Sequence, residues 1–489
     1  MDERAIAGGA PAATLMERAA GHLARAVVAC GGRGYGLRVA LLCGKGNNGG
    51  DGIAAGRRLV ALGASPAVVL VAGEDALGEQ GRDQLRRYRA AGGRVAGSVV
   101  EALAAADVAV DALLGTGASG EPREPFLAAV AALNGFAGAV VACDIPTGVD
   151  ADTGGVAGAA VHADLTVTLG ARKRGLALWP ARGYVGAEAL GDLGLLTGAE
   201  EPVAEVLEPA DAAALLPPPR PDGHKRTRGV VVILAGSEGM AGAAVMVARG
   251  AMAAGAGLVT VVTGNPDLVS AVVPEAFTAR VTADDPDAAF AILASRLEGA
   301  DALAVGPGLG HDAAARALVQ RIVREVDLPL VLDADGLNAF RGDADALTGH
   351  ASRLLALTPH ARELARLVGS SGHGVWAQRT TLVPERSKAW DAVVVAKGPG
   401  SMIAAPDGRV WINPTGSAAL STGGTGDVLT GITATLLAQR AEADAVAAAV
   451  YLHGLAGERA AARLATRSVT ALDVAVAVPV ALRVLGSDR

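Results

Sequence analysis

The chain has 489 residues, 51% of them hydrophobic and 19% charged, which is ample for sizeable cores and excludes a mostly disordered chain. At about 100–200 residues per domain, two large domains are the simplest reading. A formal net charge of −7 argues against a protein built to grip nucleic acid or an anionic membrane.

Mean hydropathy is +0.36, so a membrane span has to be considered. A long charge-free run such as Pro125 to Cys143 is broken by Pro, Asn and Gly and dominated by Ala, so no spanning helix is expected. Met1 to Arg4 are charged and lead into no apolar segment, so no secretory signal is expected either. Cys30, Cys43 and Cys143 are widely spaced, fit neither a disulfide framework nor a zinc pattern, and suggest a reducing cytosol. Only five lysines occur (Lys45, Lys173, Lys225, Lys388 and Lys397) beside abundant arginine. Lysines that survive such compositional drift are suspect, and four of the five lie in Gly-rich or turn-rich motifs.

In chain order, the periodicity predicts a helix over Thr14–Val28, strand Arg38–Cys43, helix Gly52–Leu62, strand Ala67–Val71 and helix Glu79–Ala90. Strand Val108–Val110, helix Phe126–Leu133, and strands Ala139–Cys143 and Leu165–Leu169 follow. Consecutive prolines, Pro217-Pro218-Pro219, cannot continue a helix or a central strand and mark a boundary, giving domains 1–216 and 217–489. The second half predicts strands Val230–Leu234, Leu258–Val262, Ala302–Val305, Leu330–Leu332, Leu354–Leu357, Ala392–Val395, Met402–Ala404 and Val410–Ile412, with a long helical stretch from Val428. Apolar strands without polar alternation, separated by helices, indicate parallel sheets covered on both faces. The expected fold class is therefore α/β, two domains, each a three-layer αβα sandwich.

Ligands of open α/β sheets bind beyond the carboxyl ends of the strands. In the first half those ends deliver Gly44-Lys45-Gly46-Asn47-Asn48-Gly49-Gly50-Asp51-Gly52, Asp111-Ala112-Leu113-Leu114-Gly115-Thr116-Gly117 and Asp144-Ile145-Pro146-Thr147-Gly148-Val149-Asp150 to one rim. Gly44, Gly46 and Gly49 satisfy G-x-G-x-x-G, but the paired asparagines and dense glycines are unlike a hydride-transfer site. Any single strand-end Asp reads equally as a turn or cap residue; Asp144 could cap the Pro146 turn.

The loop Cys43–Gly52, with Leu15-Met16-Glu17-Arg18-Ala19-Ala20-Gly21 upstream and Gly170-Ala171-Arg172-Lys173-Arg174-Gly175-Leu176 downstream, resembles the NAD(P)H-hydrate epimerase family over most of residues 12–195. The resemblance implies a Rossmann-like domain whose hydrate site is lined by Asn47, Asn48, Gly49, Gly50 and Asp51, by Gly115, Thr116, Gly117, Ala118, Ser119, Gly120 and Glu121, and by Asp144. It also implies a potassium ion near Asn48, Asp111 and Thr147, the last standing where the family usually has Ser. The substrate bears a hydroxyl on a carbon beside the ring nitrogen. Acid assistance lets the nitrogen lone pair expel it, and water returns on the other face; Asp144 is the candidate for that step.

No G-x-x-x-x-G-K-[ST] occurs, so Walker-type nucleotide binding is excluded. Gly423-Gly424-Thr425-Gly426-Asp427 instead precedes a predicted helix, whose free N–H groups bind anions, and the Asp could deprotonate a hydroxyl as phosphate transfers. Further strand ends carry Gly306–Gly310, Asp333–Asn338, Thr358–Glu363 and Lys397–Ser401. Together with His224-Lys225, Gly236-Ser237, Gly242-Ala243 and Gly255–Gly257 they resemble the ADP/ATP-dependent NAD(P)H-hydrate dehydratases of the ribokinase-like superfamily. That resemblance implies Asp427 as catalytic base and hydrate contact, and Ala243, Gly310 and His360 as further hydrate contacts. It implies Lys397, Gly398, Pro399, Gly400, Ser401 and Gly426 for the adenine nucleotide, and Glu363 as organiser of a magnesium ion through water. His360 could instead cap its helix, and Glu363 could be a solvated helix charge. Arg226 and Ser401 replace the family's usual Gly and Thr without removing a required group.

The resemblance therefore implies a bifunctional cytosolic repair enzyme that interconverts the epimers of hydrated NADH and NADPH and dehydrates the S epimer with ADP, forming AMP and phosphate through a phosphorylated intermediate. The expected cofactors are K+ in the first domain and Mg2+ with ADP in the second. The expected partners are these small molecules and further copies of the chain, with neither nucleic acid nor membrane. A small-alcohol kinase of vitamin metabolism is the alternative in the same fold. A hydride-transfer dehydrogenase and an interaction scaffold are alternatives of other classes.

Overall fold

Strand Arg38–Cys43 (β1) shows how the first unit is built: Val39, Leu41 and Cys43 enter one core and Ala40 and Leu42 the other, so successive residues feed helical layers on opposite faces. The structure, a computed structural model, describes residues 11–195, 202–216, 218, 221–282 and 285–486. Met1–Arg4, Pro217 and Pro219 of the readings above lie outside the described residues.

Beside β1 stand Ser65–Leu70 (β2), Arg94–Val95 (β3), Val108–Ala112 (β4), Ala139–Cys143 (β5), Leu165–Leu169 (β6) and Ala187–Gly191 (β7). Their order is β3-β2-β1-β4-β5-β6-β7, and every pairing is parallel. The order reverses between β1 and β4, the switch point where a crevice opens at the strand ends. Helices Ala12–Gly31 and Asn47–Ala61 cover one face; Val99–Ala104 and Phe126–Asn134 bury Ala102, Ala129, Val130 and Leu133 on the other. β3 and β7 escape the sequence reading because both are short or exposed edge strands without an apolar run.

The second unit carries Glu205–Val206 (β8), Val230–Leu234 (β9), Leu258–Thr263 (β10), Phe277–Arg280 (β11), Ala302–Val305 (β12), Leu330–Leu332 (β13), Leu355–Leu357 (β14), Ala392–Ala396 (β15), Met402–Ala404 (β16) and Val410–Ile412 (β17). They form one sheet in the order β11-β10-β9-β12-β13-β14-β15-β16-β17-β8. It is parallel from β11 to β15, with β16 antiparallel to both its neighbours. Helices Ala241–Ala253, Thr425–Gln439, Ala443–Arg463 and Ala471–Leu485 share one core on one face. Leu293, Leu318, Val319 and Ile322, from helices Pro286–Leu297 and Ala313–Glu325, are buried in the same unit.

Two differences from the sequence reading matter. The units divide between Pro202 and Val203, ahead of the proline run. β8 pairs with β17, and helix Pro209–Leu215 packs Ala212 into the second unit's core, so residues 203–216 side with the second unit. The second difference is that the helix expected from Gly52 begins at Asn47. The asparagine–glycine motif is thus the helix's own first turn, with Gly46 as its N-cap. No helix among the described residues is long and apolar enough to cross a membrane.

Candidate functional site

Each unit gathers polar side chains at its strand ends. In the first unit the turn after β1 is tied to β4 by Gly44 N donating to Ala112 O at 2.9 Å. It packs so closely that a Cβ on Gly44 would lie 1.8 Å from Leu113 O, and one on Gly49 2.0 Å from Gly44 O. Glycine is thus required by close backbone approach. No side chain caps the helix that starts at Asn47, which leaves its first N–H groups directed at the crevice.

Asp111, at the end of β4, is wholly buried. Its carboxylate accepts from Thr147 Oγ1 at 2.8 Å, Thr147 N at 2.8 Å and Leu113 N at 3.2 Å. Burial outweighs these bonds and pushes its carboxyl up to about 6. Asn48 is 8% exposed, and neither its Oδ1 nor its Nδ2 has a hydrogen-bond partner. A buried orphan amide is costly and calls for a bound group. A Cβ on Gly115 would sit 3.2 Å from Asn48 Cβ, so Gly115 closes over Asn48. Thr116, Gly117, Ala118, Ser119 and Gly120 form an exposed loop, with Ala118 N donating to Gly115 O. Glu121 is exposed and lies over Gly158.

Asp144 directly follows β5 in the left-handed region at φ 68°, which costs of order 1–3 kcal/mol in a non-glycine residue and persists only where the surroundings impose it. Its Oδ1 accepts from Leu169 N at 3.0 Å and pairs closely with Lys173 Nζ. Lys173 Nζ also donates to Leu169 O at 2.6 Å. The carboxylate therefore joins the ends of β5 and β6 and does not cap the Pro146 turn. The buried Cys143 thiol is raised by burial first and then by the charges of Asp51, Asp144 and Asp111.

In the second unit Asp333, 1% exposed at the end of β13, accepts from Lys397 Nζ at 2.6 Å and from Thr430 Oγ1 at 2.8 Å. Lys397 directly follows β15, and a Cβ on Gly426 would lie 3.3 Å from its Nζ. Burial pulls the Lys397 ammonium down, but Asp333, Glu363 and Asp427 hold it above its ordinary value. Asp427 stands in the first turn of helix Thr425–Gln439, whose N-cap is Gly424 at φ 90°, and no side chain caps that helix. Burial first, then Asp333, pushes the Asp427 carboxyl up to about 7 against the pull of Lys397.

Ala243 abuts Gly308, where a Cβ would meet Ala243 Cβ at 3.0 Å. Gly310, at φ 86°, donates its N–H to Asp335 Oδ2 at 2.9 Å, and Asp335 in turn raises Asp427. His360 Nδ1 accepts from Arg362 N and Glu363 N, so it does cap its helix; its side chain stays 47% exposed. Glu363 is not a solvated charge: it is 7% exposed, and its Oε2 accepts from His360 N at 2.8 Å. Burial raises its carboxyl, with Lys397 opposing and Asp333 reinforcing the shift. Ser401 Oγ donates to Gly398 O at 2.9 Å and accepts from Gly398 N at 3.2 Å, closing the turn Lys397–Ser401; Pro399 is exposed and Gly400 lies at φ 67°.

The sequence reading gave no role to Lys173, Asp333, Asp335 or Thr430. The scarcity of lysine was a usable signal, because Lys173 and Lys397 each hold a site carboxylate. Thr430, a helix residue that reaches Asp333 across the fold, left no local signal.

Family models match both units: "NAD(P)H-hydrate dehydratase" over residues 231–479 and "YjeF-related protein N-terminus" over residues 12–175. The chain is 39% identical to a bifunctional NAD(P)H-hydrate repair enzyme of Salinibacter ruber, over 98% of this chain and 94% of that protein. An ADP/ATP-dependent NAD(P)H-hydrate dehydratase from Bacillus subtilis, co-crystallised with ATP and Mg2+, is 31% identical with a TM-score of 0.50; it covers 58% of this chain and 99% of its own. A ribokinase-like superfamily protein from Enterococcus faecalis is 26% identical with a TM-score of 0.52, covering 58% and 98%. Two Gly-rich, carboxylate-bearing sites and a match that runs almost end to end lead to one conclusion: the chain belongs to the family of bifunctional NAD(P)H-hydrate repair enzymes.

Proposed function

We propose that the first unit interconverts the R and S epimers of hydrated NADH and NADPH at Asp144, and that the second dehydrates the S epimer with ADP at Asp427. The observation that carries this reading is the Asp427 carboxyl, raised to about 7 beside an uncapped glycine-led helix N-terminus and the Lys397 ammonium. Such a group takes a proton near neutral pH. Asp427 accepts the proton of the substrate hydroxyl as its oxygen attacks the β-phosphorus of ADP, and AMP leaves. The ring nitrogen lone pair then expels phosphate, the neighbouring ring carbon loses a proton, and the dihydronicotinamide re-forms. Hydroxide is a poor leaving group and phosphate a good one, which is why a kinase scaffold suits a dehydration. The helix N–H groups, Lys397 and the Ser401-closed turn hold the phosphates in line.

In the first unit a proton relayed through the paired Asp144 and Lys173 assists departure of the hydroxyl, and returns when water adds to the other face. Asn47, Gly49, Gly50, Asp51 and the loop Gly115–Glu121 complete the hydrate pocket in this reading; Ala243, Gly310 and His360 do so in the second unit.

Asn48 Oδ1, the Asp111 carboxylate and the Thr147 hydroxyl are oxygen donors in a buried setting, and the orphaned Asn48 amide fits a hard cation such as K+. The ion would anchor the turn of Asp111 and Thr147 beside the substrate. Replacing K+ by tetramethylammonium should slow epimerisation about tenfold or more, and Thr147→Val should remove that dependence; an epimerisation rate indifferent to the cation counts against the site. Glu363 and Asp333 offer oxygens suited to Mg2+, which would neutralise charge on the phosphates.

Three free cysteines fit a cytosolic setting. An exposed apolar row on the last helix, Leu472, Val476, Val480 and Val484, favours a homo-oligomer. The deciding assay follows the near-ultraviolet absorbance of the dihydronicotinamide from mixed epimers. Full recovery is expected with ADP and none without it, and no recovery under either condition overturns the reading. ADP release from ATP in the presence of hydroxymethylpyrimidine or pyridoxal tests the kinase alternative.

A further inference from the structure

The Lys397–Ser401 turn has a neighbour that no sequence motif singled out. The indole of Trp376, on helix Gly372–Ala377, lies edge-on against Gly398. A Cβ built on Gly398 would fall 2.3 Å from Trp376 Cη2 and 2.7 Å from Cζ3, so the glycine is what lets the ring approach. One face of the ring is occupied: the Arg379 guanidinium carbon lies 4.4 Å from the ring centroid. Arg379 also donates to Trp376 O at 2.6 Å, which fixes guanidinium and indole as one unit. The indole is nonetheless only partly buried. The second unit's other tryptophans, Trp390 and Trp411, are 1% and 4% exposed and belong to the interior.

We propose that Trp376 is the stacking platform for the adenine base of the nucleotide co-substrate. The base lies on the face of the indole opposite Arg379, while the adjoining turn takes the phosphates. Any base offers a π-face to a fixed aromatic ring, and a cation on the far side of the indole holds that ring in place. Aromatic residues make up only 3% of this chain, so a partly exposed tryptophan at the nucleotide turn is an uncommon investment of residue type. Trp376 thus binds the base and leaves the chemistry to Asp427. The inference rests on the reading of Lys397–Ser401 as the nucleotide turn.

The test is calorimetric binding of ADP, adenosine and pyrophosphate to the full chain. Trp376→Leu keeps an apolar side chain and removes the stack; it should weaken ADP and adenosine about tenfold while leaving pyrophosphate unchanged, and should raise KM for ADP with kcat nearly intact. Trp376→Phe should bind ADP close to wild type but lose the quenching of tryptophan fluorescence that ADP causes. Unchanged ADP and adenosine affinity in Trp376→Leu, or quenching retained in Trp376→Phe, overturns the stack. Pro399→Asp, which puts a negative charge on the exposed turn, separates the two levels. If it abolishes ADP binding while Trp376→Leu leaves ADP and adenosine affinity unchanged, the turn reading stands and the platform falls. If ADP binds Pro399→Asp as tightly as wild type, the turn reading fails and the platform with it. Should Trp376→Leu not fold, the fluorescence of Trp376→Phe decides alone.

Discussion

Asp427→Asn should cost about 10²–10⁴-fold in kcat for ADP-dependent dehydration, the usual worth of a positioned general base, and leave epimerisation untouched. The amide keeps the shape and removes the proton acceptor. Because the Asp427 carboxyl sits at about 7, the wild-type rate should climb as pH rises through 7 and level off above it, with acid below 7 silencing the base. The same shift has an effect on stability. A carboxyl in an unfolded chain titrates near ~3.9. Between ~3.9 and about 7 the folded protein therefore holds a proton that the unfolded one has lost, so stability falls as pH rises across that window. Asparagine has no such proton, so Asp427→Asn should melt higher than wild type at pH 8 and the difference should shrink at pH 5. Equal melting at both values, or undiminished dehydration, would sink the assignment. A variant more stable and inactive at once is the expected signature of a group held in an unfavourable state for catalysis.

Asp144→Asn should abolish epimerisation, again by at least ~10²-fold, with dehydration of pure S epimer unchanged. Mixed epimers with ADP should then recover only their S fraction. The amide oxygen of the replacement side chain can still accept from Leu169 N, so the left-handed turn keeps a partner and the unit is expected to fold. Loss of both activities would undo the division of labour between the units. Lys173 is left without its carboxylate in this variant and should be only mildly destabilising, because its ammonium still donates to Leu169 O.

Much of this architecture could be read from residue order alone. Strands such as Ala139–Cys143 and Leu165–Leu169 are apolar runs bounded by turns, and their limits coincide with the observed ones. What escaped has a physical reason. Phe277–Arg280 and Ala187–Gly191 are edge strands with mixed exposure, so no apolar run announces them. Helix Asn47–Ala61 starts inside a glycine-rich motif because tertiary contact overrides the poor helix propensity of Gly49 and Gly50. The strand-end motifs were legible as chemistry; the clamps on them, Lys173 on Asp144 and Thr430 on Asp333, join distant segments and are invisible to any local pattern.

The short strand Glu205–Val206 carries a last consequence. Its ladder with Trp411 and Ile412 covers what would otherwise be a bare sheet margin, and Leu207 N reaches back to Ile412 O at 3.0 Å. A margin of unsatisfied amides and carbonyls invites foreign strands. Severing the polypeptide at the prolines would strip that cover and pull Ala212 and Leu216 from the interior. The workable seam for splitting the two catalysts, by genetic fission or by a protease, is therefore upstream of Val203, and the stretch before the prolines serves as a selvedge woven into the downstream half.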